Sequence, residues 1–342
     1  MTMSTNATLE ATSTGVLAQA PVVSLILYVE DLSASREFYE RRLGLRAVER
    51  DDDSVMYDAG GITLSLNVAT RYGVTLAGRH DDASDIVFLV DDLNAMRDAL
   101  ERRGVEFMRR RTYDVGAVTD FYDPNGHRLM LYQPSEEALA WPSGEKLRSV
   151  WRAFGRGGAD LIGPPSSVEE KDQVFANGLD GKPVVYLFMF VPDSASAFAF
   201  YHAALGLQPM EAVHCCNPAC PPEEKGIVKY DAGNLLLSTH HIHRTPVVDD
   251  FGTVYSALSA NPAHVGGIVP VFEVDDVAGA VARLTAQGVG FAGDVMRSHR
   301  GNLARFSATT GHTFLLYEAS PVALQWPSGE KLYRIAEACR AR

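Results

Sequence analysis

The sequence predicts an α+β fold in which four βαβββ modules form two tandem domains. The first observation is a seven-residue segment, Trp-Pro-Ser-Gly-Glu-Lys-Leu, found at residues 141–147 and again at residues 326–332. The second is that shorter matches recur between the two halves, 162 to 185 residues apart. The third lies inside the first half, where residues 29–32 (Val-Glu-Asp-Leu) resemble residues 90–93 (Val-Asp-Asp-Leu), 61 positions later. The chain is therefore a duplication of a duplicated unit.

Composition limits the functions to consider. The chain has 342 residues, 46% of them hydrophobic and 22% charged, which is typical of globular protein with about two domains. A net charge of -12 disfavours nucleic acid or an anionic membrane as the partner. No apolar run approaches the ~18 residues that span a bilayer. All four cysteines lie in the second half, so the copies share no disulfide framework, and we predict a cytoplasmic protein.

Each module shows the same order of local signals. It opens with a short β-branched or aromatic run, which indicates a buried strand. An acidic or Ser residue then caps a helix of about twelve residues, and a glycine such as Gly44 or Gly206 ends it. Three further short strands follow. In the first half the last two are joined by residues 123–126 (Asp-Pro-Asn-Gly), a strong hairpin turn.

The repeats also set the expected domain limits. Residues 1–20 are rich in Thr, Ser and Ala and lack an apolar signal-peptide core, so we expect a disordered leader. The first domain is expected over residues 21–147 and the second over residues 183–325. A linker at residues 148–182 separates them, and a C-terminal helix is expected over residues 326–342.

The repeated heptapeptide is expected to begin a helix after each domain. Ser143 and Ser328 are predicted to be the N-cap residues. Trp141 and Trp326 are predicted to be buried against the domain that precedes them. The helices should pack equivalently on the two domains or reach over a neighbouring ligand cavity.

The second half carries two insertions of eleven residues each relative to the first. One contains His214, Cys215, Cys216 and Cys220, and the other follows residues 240–243 (His-His-Ile-His). The cysteines lack the usual paired spacing of a zinc site, which favours an ordinary surface loop.

Two motifs carry a resemblance to a known family. Residues 29–45 read V-x-D-L-x-x-S-x-x-F-Y-x-x-x-L-G-L, and residues 123–132 read D-P-N-G-x-x-L-x-L-Y. The chain resembles the vicinal oxygen chelate superfamily, which includes glyoxalase I, bleomycin-resistance proteins, extradiol dioxygenases and some natural-product epimerases. The resemblance covers about residues 22–134 and 183–320. It implies that paired modules curl into a cup that holds a ligand, although such a fold does not specify the chemistry.

The resemblance also implies metal ligands on the first and last strands of each module. The matching positions here are Ser24, Thr63, Asp85, Met130, Tyr186, Leu236, Val269 and Leu315. These residues do not make up a divalent site, so we predict no cofactor. A Zn, Fe, Mn or Ni site is expected only if displaced to the rim, where His240, His243 and Glu273 have suitable side chains.

Strand alternation places other side chains in the cups. Candidate general bases are His240, Glu273 and Asp85, because apolar surroundings raise a carboxyl pKa toward neutrality. The residues predicted to bind a substrate are Ser24, Tyr28, Asn67, Tyr186, Phe188, Phe190 and Ser238.

Three functions remain open. The first is an isomerase, epimerase or lyase that acts by acid–base chemistry on a small natural-product or catabolic metabolite. The second is a binding protein that sequesters a small molecule without chemistry, as bleomycin-resistance proteins do. The third is a metal-dependent glyoxalase, dioxygenase or cyclitol-epimerase-type enzyme with displaced ligands. A homodimer is left open, and we expect the working site in the second half, which holds most of the His and Cys residues.

Overall fold

The computed structural model describes residues 15–76, 81–108, 110–155, 161, 177–213, 226–241 and 267–340, with the backbone alone at residues 81–83. Within these residues the strands form two mixed eight-stranded sheets with helices packed on them. The predicted α+β fold of βαβββ modules is confirmed.

The first sheet combines the first and fourth modules. Its strand order is β14-β15-β16-β13-β1-β4-β3-β2. The strands are β1 (Val22–Val29), β2 (Ala47–Arg50), β3 (Ser54–Asp58), β4 (Thr63–Val68), β13 (Ile268–Glu273), β14 (Met296–Ser298), β15 (Gly301–Ser307) and β16 (Thr313–Ala319).

The second sheet combines the second and third modules. Its strand order is β10-β11-β12-β9-β5-β8-β7-β6. The strands are β5 (Asp81–Leu89), β6 (Arg111–Tyr113), β7 (Gly116–Tyr122), β8 (His127–Pro134), β9 (Val184–Val191), β10 (Gln208–Val213), β11 (Ile227–Ala232) and β12 (Leu235–His241).

Strand pairing therefore crosses the two halves of the chain. Strand β1 runs antiparallel to β13, and β5 runs antiparallel to β9. Each sheet thus combines modules from both halves, whereas the expected domain limits put one domain in each half. The physical reason is that all four modules offer the same edge, their first strand, for pairing. The repeats alone therefore do not show whether a module pairs with its neighbour in the sequence or with a distant module.

The helices begin where the capping signals predict. Asp31 accepts hydrogen bonds from the backbone N–H groups of Ser33 (2.8 Å) and Ala34 (3.0 Å), and Asp92, Asp193 and Asp276 cap the corresponding helices. The helices are α1 (Leu32–Arg36, continued by a π-helical turn Glu37–Arg42), α2 (Leu93–Glu101), α3 (Glu136–Ala140), α4 (Pro142–Phe154), α5 (Ser194–Phe198, continued by Ala199–Ala204), α6 (Val277–Ala286) and α7 (Pro327–Arg340).

The repeated heptapeptide begins α4 and α7, but its serines are not the caps. Each helix starts at the proline, whose fixed φ suits the first helical position. The backbone N–H of Ser143 donates to Glu211 (3.0 Å), and that of Ser328 donates to Glu49 (3.1 Å). At each helix start, the hydrogen-bond acceptor is thus a glutamate from another module and not the predicted serine hydroxyl. The prediction of Ser143 and Ser328 as caps is wrong.

The lysine of the heptapeptide makes an equivalent ion pair in both copies. Lys146 pairs with Asp231 and Lys331 pairs with Asp58, each at 2.8 Å. Trp326 is 42% exposed, with the Arg300 guanidinium 4.4 Å from its ring, so its predicted burial is wrong. Each heptapeptide therefore ties a helix from one half of the chain to a module from the other half.

The glycine of the heptapeptide is required by close packing. A Cβ on Gly144 would lie 2.2 Å from the carbonyl oxygen of Leu139, and one on Gly329 would lie 2.0 Å from that of Ala323.

We expect Gly144→Ala to lower the free energy of unfolding by about 1–3 kcal/mol, because backbone atoms must move. Urea unfolding measures it. Gly290→Ala is the matched control, since nothing lies within 4 Å of its Cβ, and equal effects would contradict the packing explanation.

The segments predicted to be leader and linker are partly packed. Leu17 is 1% exposed and its N–H donates to the carbonyl of Leu205 (2.9 Å), so the predicted disordered leader is wrong for residues 15–20. At the end of the linker, Lys182 is buried and pairs with Asp91 at 2.6 Å. Residues 1–14, most of the linker and both inserted loops, with His214, His243 and three cysteines, lie outside the described residues. No helix among the described residues is long and apolar enough to cross a membrane.

Candidate functional site

Each sheet has one face against which a heptapeptide helix packs, and we call it the inner face. On the first sheet, Leu332 and Ile335 of α7 belong to one buried cluster with Val271 and Leu315. On the second, Leu147, Val150 and Trp151 of α4 belong to a cluster with Val87, Met130, Tyr186 and Leu236. Both inner faces are thus partly covered by the chain itself.

The inner face of the second sheet holds a buried ion pair. The Arg128 guanidinium donates to both carboxylate oxygens of Asp85, through Nε to Oδ1 and at 2.8 Å to Oδ2. Asp85 is 1% exposed and Arg128 5% exposed. Burial raises the pKa of Asp85, and the charge of Arg128 opposes that rise. The carboxylate of this candidate base is therefore already engaged by a cation.

Two more ion pairs extend across the same face. Arg111 contacts Asp120 at 2.8 Å, and Lys229 contacts Glu211. Asp120 and Glu211 are almost fully buried. These charges are compensated by one another within the chain, so an incoming ligand would have to compete with them.

His240 lies on the second sheet among aromatic rings. Its ring centroid is 4.4 Å from that of Phe188 and 5.6 Å from that of Phe190, and its Nε2 lies 3.1 Å from Ser238 Oγ. Burial and the nearby Lys229 and Arg128 lower the pKa of His240 to about 3. The imidazole is therefore neutral at physiological pH and a weak base.

Glu273 lies on the first sheet and not beside His240. It pairs with Arg340 of α7. Burial raises the pKa of Glu273, and Arg340 opposes the rise. The structure brings His240 and Asp85 together on the second sheet, whereas Glu273, which the sequence suggested as a rim metal ligand with His240, lies on the first sheet. His243, the third predicted ligand, lies outside the described residues.

The predicted binding residues are divided between the two faces. Tyr186, Phe188, Phe190 and Ser238 lie on β9 and β12 of the second sheet. Ser24, Tyr28 and Asn67 lie on β1 and β4 of the first, in register with Thr63, Asn67 and Tyr28 respectively. Ser65 donates to Asn67 Oδ1 (2.8 Å), and the ring of Tyr28 lies 5.8 Å from that of Tyr72. The expectation of a working site in the second half stays a prediction.

One residue of the first inner face was missed by sequence reasoning. Arg305 on β15 lies opposite Leu315, which belongs to the inner-face cluster. A signal did exist, because the position 185 residues earlier is Asp120, whose partner Arg111 corresponds to Met296. Comparing charges between the repeats would therefore have singled out Arg305 as a cation at the position of an anion, with no acidic residue at the equivalent partner position.

The side chains at the family's metal-ligand positions do not fit a divalent metal. On the first sheet these positions hold Ser24, Thr63, Val269 and Leu315, and on the second Asp85, Met130, Tyr186 and Leu236. The single carboxylate is bound by Arg128. In the part of the chain that the structure describes, no three His, Cys, Asp or Glu side chains are grouped as ligands.

Comparison with known proteins identifies the family. A model of the Glyoxalase/Bleomycin resistance protein/Dioxygenase superfamily matches residues 21–131 and 184–316. The chain belongs to this superfamily. The match covers both halves and agrees with the expected resemblance.

Individual members of the superfamily match more distantly. Metallothiol transferase FosB from Bacillus licheniformis is 28% identical over 115 residues, which are 32% of this chain and 73% of that protein. Glyoxalase I from Zea mays superposes with a TM-score of 0.55 at 13% identity, covering 94% of this chain and 97% of the maize chain. A Bacillus subtilis structure described as a dioxygenase has a TM-score of 0.53 at 13% identity, covering 91% and 89%. At these identities the two structures show a shared fold alone.

Proposed function

We propose that this superfamily member binds a small organic molecule on the inner face of its first sheet and releases it chemically unchanged. The observation that carries the proposal is the state of the three candidate bases. Asp85 and Glu273 are each paired with an arginine, and His240 has a pKa of about 3. General-base catalysis needs a free group whose pKa lies near the working pH, and none of these three residues meets that requirement.

The two inner faces differ in how far their side chains already contact one another. On the second sheet, the His240 ring contacts the rings of Phe188 and Phe190. The Arg128 guanidinium lies 5.3 Å from the centroid of the Phe190 ring. A ligand on this face would therefore have to displace contacts that already exist within the chain.

The first inner face has the character of a small-molecule site. Ile26 and Met56 are partly exposed there, beside the hydrogen-bonding groups of Tyr28, Ser65 and Asn67. Apolar walls with a few polar groups are typical of such sites. These features favour the first face as the place where the molecule binds.

Native mass spectrometry of the purified full chain tests the proposal. We expect a non-covalent small molecule bound to the folded protein, released on denaturation. Incubating the recovered molecule with fresh protein should return it unchanged by mass and chromatography. Conversion to a different compound would contradict binding without chemistry.

A pair of blocking variants tests the location. Ile26→Trp should weaken binding of the neutral planar probe 1-naphthamide by about tenfold or more, because the larger side chain occupies the first inner face. Phe188→Trp, at the equivalent position 162 residues later, is the matched control and should leave affinity unchanged. Isothermal titration calorimetry measures both, and the reverse pattern would move the site to the second sheet.

A further inference from the structure

Arg305 is a cation in an apolar setting. Its position on β15 is in register with Leu315, which is in turn in register with Val271. Both neighbours are buried on the inner face of the first sheet, and Arg305 itself is partly exposed. The guanidinium therefore faces the same space as the site proposed above.

The charge of Arg305 has no counter-charge among the described residues. No carboxylate of the described ranges pairs with it, whereas Arg128, Arg111, Lys229 and Arg300 each have an acidic partner. Partly burying a charge is unfavourable unless an anion or hydrogen-bond acceptors compensate it. The Arg305 guanidinium is thus available to an anionic ligand at the first inner face.

Polar and aromatic groups lie around this cation. Burial raises the pKa of Tyr28, and the charge of the nearby Arg305 guanidinium opposes the rise. Tyr28 and Tyr72 form a tilted aromatic pair with centroids 5.8 Å apart. Val74 and Leu76 pack against the same cluster and extend its apolar part. A planar apolar body would contact the rings while an acidic group reached Arg305.

We propose that the first inner face selects an organic carboxylate with a planar apolar body, and that Arg305 binds its carboxylate. This assignment rests on the proposed function of the same face. Arginine suits the role because its planar fork donates two parallel hydrogen bonds to a carboxylate. The uncharged Ser65 and Asn67 near Tyr28 add no competing negative charge.

The test compares two probes of nearly equal shape. Calorimetry should show that 1-naphthoate binds roughly tenfold or more tightly than the neutral 1-naphthamide. The reason is that only the carboxylate of 1-naphthoate accepts charge-assisted hydrogen bonds from Arg305. Arg305→Gln should remove this preference and leave 1-naphthamide affinity unchanged. Arg305→Lys should keep part of it, since it retains the charge but not the fork.

The control is Arg297→Gln, an exposed arginine on the adjacent strand β14, which should keep the full preference. Thermal melting confirms that each variant is folded. Equal binding of both probes, unchanged by Arg305→Gln but weakened by Ile26→Trp, would overturn the carboxylate assignment and leave the proposed function standing. Failure of both probes to bind, or binding of both that Ile26→Trp leaves unaffected, would overturn the carboxylate assignment and the proposed function together.

Discussion

Replacing Arg128 with Met should lower the free energy of unfolding by about 3–5 kcal/mol at neutral pH. The substitution leaves the carboxylate of Asp85, 1% exposed, without its partner on the neighbouring strand. An uncompensated buried charge costs far more than the loss of a hydrogen bond between exposed groups. Urea unfolding followed by circular dichroism measures the change.

The effect of Arg128→Met should depend on pH. Burial already raises the pKa of Asp85, and loss of Arg128 raises it further. A carboxyl whose pKa is higher in the folded state stabilises the fold below its unfolded pKa, and this contribution is lost as pH rises through the folded pKa. The deficit of the variant should therefore shrink as pH falls toward about 4.

Two controls accompany Arg128→Met. Arg36→Met breaks an exposed pair with Glu40 and should cost less than about 1 kcal/mol. The double variant Asp85→Leu with Arg128→Met should recover most of the stability, because neither charge remains buried. An Arg128→Met variant as stable as Arg36→Met would refute the role given to the buried pair.

The second large effect is expected at Asp123. Its carboxylate accepts four hydrogen bonds, from Tyr39 Oη (3.0 Å), His127 Nδ1 (2.9 Å) and the backbone N–H groups of Asn125 and His127 (both 2.8 Å). Asp123→Ala, which installs the residue found at equivalent position 308, should lower the free energy of unfolding by about 3 kcal/mol. The reason is that Tyr39 and His127 are buried and lose their acceptor.

The pKa of Asp123 is shifted in the opposite direction to that of Asp85, although the deficit of the variant should again shrink in acid. Although burial raises the pKa of Asp123, the contacts with His127 and Tyr39 outweigh it and the pKa is lowered. Its stabilisation is present above the unfolded pKa of about 3.9 and is lost as pH falls through the folded value. Stability curves of the two proteins should converge in acid. Asp51→Ala, in an exposed turn with hydrogen bonds to Asp53 and Ser54, is the control and should cost less than about 1 kcal/mol.

Local features were predictable because they depend on near neighbours in sequence. Asp31 and Asp92 cap helices two or three residues away, and the alternation of β1 and β4 placed Ser24, Tyr28 and Asn67 on one face. The caps at Ser143 and Ser328 failed for the complementary reason. Their acceptors, Glu211 and Glu49, are 68 and 279 residues away.

The candidate site was predicted only in part. Residue types suggested Asp85, His240 and Glu273 as bases, but whether a base is free depends on its partners. Arg128 is 43 residues from Asp85 and reaches it only through parallel pairing of β5 with β8. Glu273 is 67 residues from Arg340, which α7 places beside it.

By itself the sequence determined that this protein is a twice-duplicated set of βαβββ modules, because repeats, periodicity and turn residues are properties of short stretches. Only the tertiary structure decided which modules share a sheet, since four similar first strands present equivalent edges. That choice places Arg305 on an inner face with Tyr28, 277 residues earlier in the sequence. It also pairs the charges of the second inner face with one another. Whether a buried charge is compensated depends on which residues lie near it in space, and not on which lie near it in the sequence.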